Sequence, residues 1–339
     1  MSHALPRNTP VEVDPRKREV VQEMEESIIP HLRYLKPVED LWQPTDFLPD
    51  LTCEGWRENL EEYRKASEAI PDELFVVLIG DAITEEALPT YQTAINRLAG
   101  VHDPTGTSDS PWAQWSKGWT AEENRHGDVL SRYLYLSGRV DMRSVEITIN
   151  NLLRNGFDYG PDPYKGFIYT SFQERATKIS HGNCARLANA AGDKTLDKMC
   201  AMIASDEARH EAAYKMFVKH FLTVDPSGAM LSFQEMMKAG IEMPAKLMDD
   251  GSENYLFDIF SATAQRTGVY TAHDYADIIE HLLSHWKIST ITGLTPAAMQ
   301  AQEYLCGLPK RFHRLAEKVE RRIAKTPKMP FRWIFNRTA

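Results

Sequence analysis

Glu122-Glu123-Asn124-Arg125-His126 and Asp206-Glu207-Ala208-Arg209-His210 share one pattern, acidic-Glu-x-Arg-His, and both lie inside long runs of helix-forming residues. Residues three apart on an α-helix differ by about 60° in azimuth, so each Glu and its His share a face and can grip one metal pair. The product of 27 Glu and 11 His over 339 positions gives about 0.9 accidental Glu-x-x-His matches, so two such matches alone prove little. The agreement of two further positions, the acidic residue and the arginine, raises the signal. A four-helix dinuclear carboxylate site takes one Glu from each of two helices and a Glu-x-x-His from each of the other two. Two more glutamates are therefore required, each one helix upstream of a motif. Glu85 stands 38 residues before Glu123, and Glu174 stands 33 before Glu207. The chain order is then Glu, Glu-x-x-His, Glu, Glu-x-x-His, a two-fold repeat of ligand-bearing helix pairs. Four carboxylates neutralise two divalent ions, whereas the same ligands without metal are costly to bury ionised.

Glu85, not its neighbour Glu86, is the expected ligand. Leu88, Gln92, Ile95 and Leu98 follow Glu85 at helical spacing along one mostly apolar face, and Glu86 points about 100° away. Pro89 has no N–H to give the Glu85 carbonyl and should kink a helix read over 72–100. That kink either makes room for a substrate or is a packing feature. Metal-bound imidazoles donate their other N–H to a carboxylate, which makes Glu122 and Asp206 candidates to orient the histidine of the opposite motif. The bland alternative is surface pairing with Arg125 and Arg209. Thr177 shares the Glu174 face and is a candidate to bond a reaction oxygen or deliver protons, although mid-helix threonines commonly bond back to their own carbonyl ladder. His181 shares that face too, about 10 Å along the axis, and reads as a core or surface histidine, not a ligand.

Outward from the motifs, apolar residues at three- and four-residue spacing predict helices over 54–68, 72–100, 112–137, 142–154, 165–191, 194–222, 229–239, 254–267, 272–288, 295–307 and 309–324. Gly192 followed by Asp193 ends one helix and caps the next, and Thr271 with Asp274 forms a capping box. Seven prolines in residues 1–50 predict an irregular arm with one short helix around Arg16–Ile29. Only Met329–Phe335 reads as a short β segment. The chain is expected to be all-α, with residues 51–339 forming a single helical domain. A net charge of −9 argues against a nucleic-acid or membrane-surface partner, and no apolar run is long enough to span a bilayer. The charge is uneven. Residues 309–339 carry ten Lys/Arg against two Asp/Glu, leaving 29 basic and 46 acidic side chains elsewhere. The start has no secretory signal pattern, and Cys53, Cys184, Cys200 and Cys306 are too scattered for a zinc site, an iron–sulfur site or a disulfide framework, so free thiols in a reducing compartment are expected.

Longer motifs carry a resemblance. Trp42-Gln-Pro-Thr-Asp-Phe-Leu-Pro49, Ile83-Thr-Glu-Glu-Ala-Leu-Pro-Thr-Tyr91, Trp119-Thr-Ala-Glu-Glu-Asn-Arg-His126, Gly166-Phe-Ile-Tyr-Thr-Ser-Phe-Gln-Glu-Arg175 and Met329-Pro-Phe-Arg-Trp-Ile-Phe335 are similar to stretches of the soluble acyl-ACP desaturases of plant plastids. The resemblance covers almost the whole chain. It implies a ferritin-like four-helix core with extra helices, a homodimer, and a di-iron centre on Glu85, Glu123, His126, Glu174, Glu207 and His210. The implied reaction removes two hydrogens from adjacent carbons of a saturated acyl chain, with O2 as co-substrate and electrons from ferredoxin. Thr177 matches the family's active-site threonine, and Trp42 with Asp206 matches a proposed electron route through His126. The implied location is the plastid stroma, with the transit peptide absent from this chain. Such a reaction needs metal chemistry, because an unactivated methylene offers no acidic proton and no leaving group. Binding then fixes the position: at roughly 0.8 kcal/mol per buried CH2, ten carbons contribute at most on the order of 8 kcal/mol.

By the same resemblance the acyl pocket takes Tyr91, Ala94, Arg97, Leu98, Gly166 and Phe167. Arg97 stands where a small neutral residue is usual, and a charge at the deep end is expected to shorten the cavity or close a path. Stearoyl-ACP 9-desaturation is the leading expectation. Action on palmitoyl-ACP at another position, such as 4 or 6, is the runner-up. A ferritin-like storage or peroxidase protein is a third reading, and a radical-generating reductase subunit is disfavoured because its first ligand is commonly Asp. The basic tail fits the acidic carrier protein, with Arg314, Lys318, Arg321 and Arg322 the expected docking residues.

Overall fold

The structure is a computed structural model that describes residues 13–252 and 255–339. Its helices are α1 (Pro15–Glu23), α2 (Glu25–Ile28), α3 (Trp56–Glu68), α4 (Asp72–Glu86), α5 (Leu88–Asn96), α6 (Pro111–Ser137), α7 (Met142–Asn155), α8 (Pro163–Ala191), α9 (Lys194–Val224), α10 (Pro226–Ala239), α11 (Leu256–Thr267), α12 (Ala272–His285), α13 (Pro296–Cys306) and α14 (Leu308–Ile323). A minimal antiparallel hairpin, β1 (Pro330–Phe331) with β2 (Arg337–Thr338), closes the chain. The described residues are all-α apart from it, and none of their helices is long and apolar enough to cross a membrane. The four cysteines are free.

α4, α6, α8 and α9 form the four-helix core. α4 is apolar almost all round, and residues 74–80 are all buried, as a helix surrounded by others must be. α8 and α9 form an antiparallel hairpin. Gly192 turns left-handed at φ 98°, and the Asp193 carboxylate accepts from the Thr195 and Leu196 amides. The other Asp193 oxygen accepts from Tyr133 Oη at 2.7 Å, which ties this turn to α6.

Apolar packing divides into two clusters. One gathers Trp112, Trp115, Phe167, Phe217, Phe233 and the α12–α13 face. The other gathers α4, Val129, Leu130, Cys184, Met199 and the C-terminal hairpin. Each long helix passes from one to the other near its middle, between Trp119 and Val129 on α6 and between Ile203 and Ala213 on α9. Glu123 and His126 stand at the first of these crossings, and Glu207 and His210 at the second.

Two expectations need correcting. The helix read over 72–100 is broken, not kinked: α4 ends at Glu86, Ala87 bridges at ψ 8°, and α5 restarts with Pro89 in its first turn. Pro89 has no N–H for the Glu85 carbonyl, and the Thr84 carbonyl one residue earlier accepts from the Ala87 amide and Tyr91 Oη. Residues 13–50 carry two helices divided at Met24, not one, followed by 3-10 turns. This segment packs on the bundle through Val20, Val21, Met24 and Ile28; residues 1–12 of the expected arm lie outside the described residues.

Candidate metal centre

Glu85 ends α4, Glu123 and His126 lie mid-α6, Glu174 lies on α8, and Glu207 and His210 lie on α9; all six are buried. His126 Nδ1 is 3.1 Å from Glu123 Oε2, 3.5 Å from Glu207 Oε1 and 3.7 Å from Glu85 Oε2. His210 Nδ1 is 2.6 Å from Glu123 Oε1, 3.6 Å from Glu174 Oε2 and 3.9 Å from Glu207 Oε2. Glu123 and Glu207 therefore face both imidazoles, whereas Glu85 faces only His126 and Glu174 only His210. Two ligand groups result, Glu85–Glu123–His126–Glu207 and Glu123–Glu174–Glu207–His210, each with its ligand atoms within 4.8 Å of one another.

The residues fit a dinuclear metal. Glu123 Oε1, His126 Nδ1, Glu174 Oε2, Glu207 Oε1 and His210 Nδ1 are all buried without a hydrogen-bond partner. Unpaired polar atoms are costly in an interior, and these five converge with the carboxylate and imidazole donors that suit first-row metals. Charge tells the same story. Burial pushes the Glu207 carboxyl well above its ordinary range, and the Glu123 charge adds to that. Glu174 rises for the same two reasons. At Glu123 burial is outweighed by His126 and His210, which hold that carboxyl low. Burial of the two imidazoles is likewise outweighed, first by Glu123, so both are raised well above the ordinary value.

Glu122 and Asp206 cross between the motifs. Glu122 Oε2 lies 2.9 Å from His210 Nε2, and Asp206 Oδ2 lies 3.5 Å from His126 Nε2. The arginine pairing weighed against that role is present as well: Arg125, buried, reaches across to Asp206 at 2.9 Å, and Arg209, partly buried, reaches across to Glu122 at 2.7 Å and to Asp206 of its own motif at 2.5 Å. Trp42 Nε1 donates to Asp206 at 2.9 Å, its indole stacks on His126 at 6.0 Å, and the Lys36 amide donates to Glu122. The N-terminal segment thereby completes the centre. At Asp206 burial is outweighed by the bond from His126 and by Arg209, which hold it low.

A cavity of about 440 Å³ opens onto Glu85, Glu123, Glu174 and Glu207. Its size suits a small-molecule chain, and its wall is mostly aromatic and apolar. Thr177 lines it, with its hydroxyl bonded back to the Gln173 and Glu174 carbonyls at 3.0 and 3.2 Å. Of the six expected pocket residues the structure places only Tyr91 on the wall. Ala94 and Leu98 are buried behind it; Gly166 faces Leu98 and Tyr159, and Phe167 stacks on Trp112. Arg97 is half-exposed and pairs with Asp158 at 2.6 Å, so its charge is not at the deep end of the cavity. Arg314, Lys318 and Arg321 are exposed on α14, and Arg322 of the same helix borders the cavity.

Several site residues escape sequence reasoning. Phe157, Tyr159 and Tyr169 form wall and are contributed by the loop before α8 and by α8 itself; Phe257 and Phe260 come from α11. Gly127 has a legible physical role only in three dimensions. A Cβ there would lie 3.1 Å from the Glu86 nitrogen, so glycine lets α6 approach the end of α4 and brings Glu85 to His126. His181 Nε2 lies 3.0 Å from Glu85 Oε1, and Trp119 Nε1 donates to Glu174 Oε1 at 3.0 Å. Asp81, on the cavity wall, is pushed up by burial and accepts from Ser180 Oγ.

A family model described as fatty acid desaturase matches residues 16–335. The chain is 52% identical over 343 residues to the chloroplastic acyl-[acyl-carrier-protein] desaturase of Cucumis sativus, covering 99% of this chain and 84% of the relative. It is 54% identical, with the same coverage, to the chloroplastic stearoyl-[acyl-carrier-protein] 9-desaturase of Ricinus communis. Among solved structures, DesA2 from Mycobacterium tuberculosis H37Rv superposes with a TM-score of 0.54 over 84% of this chain and 99% of that one, at 18% identity, and so shares the fold.

Proposed function

This chain belongs to the fatty acid desaturase family, and from that premise we propose that it introduces a cis double bond into an acyl chain carried on acyl carrier protein, acting as a stearoyl-ACP 9-desaturase. The observation that carries the reading is the apolar cavity that ends on the carboxylates of a buried Glu4His2 cluster. Two iron ions held by Glu85, Glu123, His126, Glu174, Glu207 and His210 supply the O2-dependent oxidising power that an unactivated methylene requires.

The chain's own residues do the rest. Tyr91, Phe157, Tyr169 and Phe260 exclude water and hold the acyl chain by burial alone, since no polar handle exists near its middle. Trp119 and Thr177 stand on the wall beside the ligands; the Thr177 hydroxyl, bonded to the carbonyls of its own helix, can hold a proton one turn from Glu174. Trp42, Asp206 and His126 form a bonded and stacked line, which suits electrons arriving from ferredoxin. Glu122 and Asp206 fix the two ligand imidazoles. The exposed cations of α14 receive the acidic carrier, with Arg314 and Lys318 the leading contacts. The protein works as a homodimer in the plastid stroma in this reading, in keeping with its chloroplastic relatives.

The test is mass spectrometry of products from 16:0-ACP and 18:0-ACP, using iron-loaded protein with ferredoxin, reductant and O2. A 9-cis 18:1 product is expected. A double bond elsewhere in a 16:0 chain would overturn the regiospecificity, and two tightly held zinc ions with no O2 consumption after iron loading would overturn the enzyme class. Glu123→Ala and Glu207→Ala each remove a ligand common to both metal groups and should abolish metal retention and turnover together.

A further inference from the structure

The ligand set repeats, but its supports do not. The repeat relates Glu85 to Glu174, Glu123 to Glu207 and His126 to His210, and the crossed bonds of Glu122 and Asp206 obey the same symmetry. Glu85 and Glu174 each face only one of the two ligand imidazoles, His126 and His210 respectively. Each has one oxygen directed at its own metal group and the other held from outside. His181 of α8 holds Glu85 Oε1 at 3.0 Å, and Trp119 of α6 holds Glu174 Oε1 at 3.0 Å.

Neither holder has a counterpart. His181 is Glu174 plus seven, and Glu85 plus seven is Gln92; Trp119 is Glu123 minus four, and Glu207 minus four is Ile203. Ile203 is buried and apolar, with nothing to donate. Gln92 lies beyond the break at Ala87, on α5, and no hydrogen bond joins it to Glu174, whose Oε1 accepts from Trp119. Each half of the centre therefore depends on a different donor: an imidazole for Glu85, an indole for Glu174. Both donors are buried.

We propose that His181 and Trp119 are positioning residues, each fixing the terminal carboxylate of one metal, so that the Glu85–His126 half and the Glu174–His210 half bind metal through separate supports. The proposal rests on the reading that these six residues hold two metal ions, but not on desaturation. Removing an outer hydrogen-bond partner of a metal ligand typically lowers metal affinity 10- to 100-fold. A residue that acts only through its ligand has no further effect once that ligand is gone.

The experiment is anaerobic titration of the metal-free full chain with Co2+, followed by visible spectroscopy and metal analysis after gel filtration. His181→Leu and Trp119→Phe should each weaken one of the two Co2+ ions about 10-fold or more while the other is retained, and combining them should weaken both. His181→Gln, which keeps a side-chain donor, should recover most of the loss. The deciding arm is the cycle: His181→Leu should change nothing further in Glu85→Ala, and Trp119→Phe nothing further in Glu174→Ala. Additive losses in these backgrounds, or equal weakening of both ions by either single variant, overturn the proposal, as does unchanged Co2+ affinity in both. If His181→Leu fails to fold, Trp119→Phe with its Glu174→Ala cycle decides the matter. Loss of turnover with normal Co2+ binding in the wild-type chain would instead count against the proposed function alone.

Discussion

Glu211 is the carboxylate next to His210 that the centre does not use. It is buried, and it is ringed by cations: Lys215 Nζ at 2.7 Å, Arg175 Nη1 at 2.9 Å and Lys178 Nζ at 3.2 Å, with His281 at 3.4 Å. Burial raises its pKa, but the bonds and charges of Lys215, Lys178 and Arg175 win and bring it from 4.5 down to about 2. A shift of that size is worth about 3 kcal/mol at 1.36 kcal/mol per unit. The sign follows from the direction. The folded carboxyl holds its proton less tightly than the unfolded one, so the contribution is complete above about pH 4.5 and is lost as pH falls toward 2. Glu211→Gln removes the charge and leaves three cations facing one another across α8 and α9, the hairpin that carries Glu174, Glu207 and His210. For 339 residues at about 2.1 cal/mol/K each, the loss corresponds to roughly 4 °C in Tm. Urea unfolding followed by circular dichroism, for both proteins between pH 3 and 7, measures it. The gap should be about 3 kcal/mol at pH 7 and should narrow steadily below pH 5. A gap under about 1 kcal/mol at pH 7, or one that stays constant down to pH 3, would refute the argument that this ring of cations stabilises a buried anion.

Two further outcomes probe the cavity and the docking face. Gly80 lies on the cavity wall, and a Cβ there would come within 2.1 Å of the Phe260 ring. Gly80→Ala must therefore displace Phe260 within the cavity, and the ratio of kcat/KM for 18:0-ACP over 16:0-ACP should change several-fold, measured by competition between the two substrates; an unchanged ratio would show that this part of the wall does not contact the chain. Arg314→Glu with Lys318→Glu on α14 should raise KM for acyl-ACP by an order of magnitude at low salt with kcat preserved, the difference shrinking as ionic strength rises. Equal kinetics at low salt would return α14 to the role of an ordinary solvated face.

The convergence of the six proposed ligands is legible because they obey helical arithmetic. Glu123 and His126, or Glu207 and His210, must share a face wherever their helices go, since three residues on an α-helix fix the angle between them. The same arithmetic chose Glu85 over Glu86, and Glu86 indeed turns away to accept from Ser131. It failed at Pro89, where a periodic pattern continued across a break in the backbone. Arg97, which the resemblance and not the period assigns to the pocket, lies beyond that break and turns outward to Asp158 on the loop between α7 and α8. His181 is a core histidine outside both ligand groups, as its distance along α8 predicts. Its contact is with a different helix, which spacing along α8 cannot reveal.

Local sequence thus determined whatever one helix can decide alone: the caps, the turn at Gly192–Asp193, the faces that carry the six ligands, and the charge of α14. The tertiary structure decided what requires two helices to meet. Gly127 lets α6 approach α4, the break at Ala87 removes α5 from the bundle axis, and the crossing of four helices sets Glu122 against His210, Asp206 against His126, His181 against Glu85 and Trp119 against Glu174. These partners are separated by up to 96 residues in the chain. The physical reason for the division is range: backbone hydrogen bonds enforce the helical period over a few residues, whereas the cavity and the supports of the centre arise from packing between helices that the period leaves free.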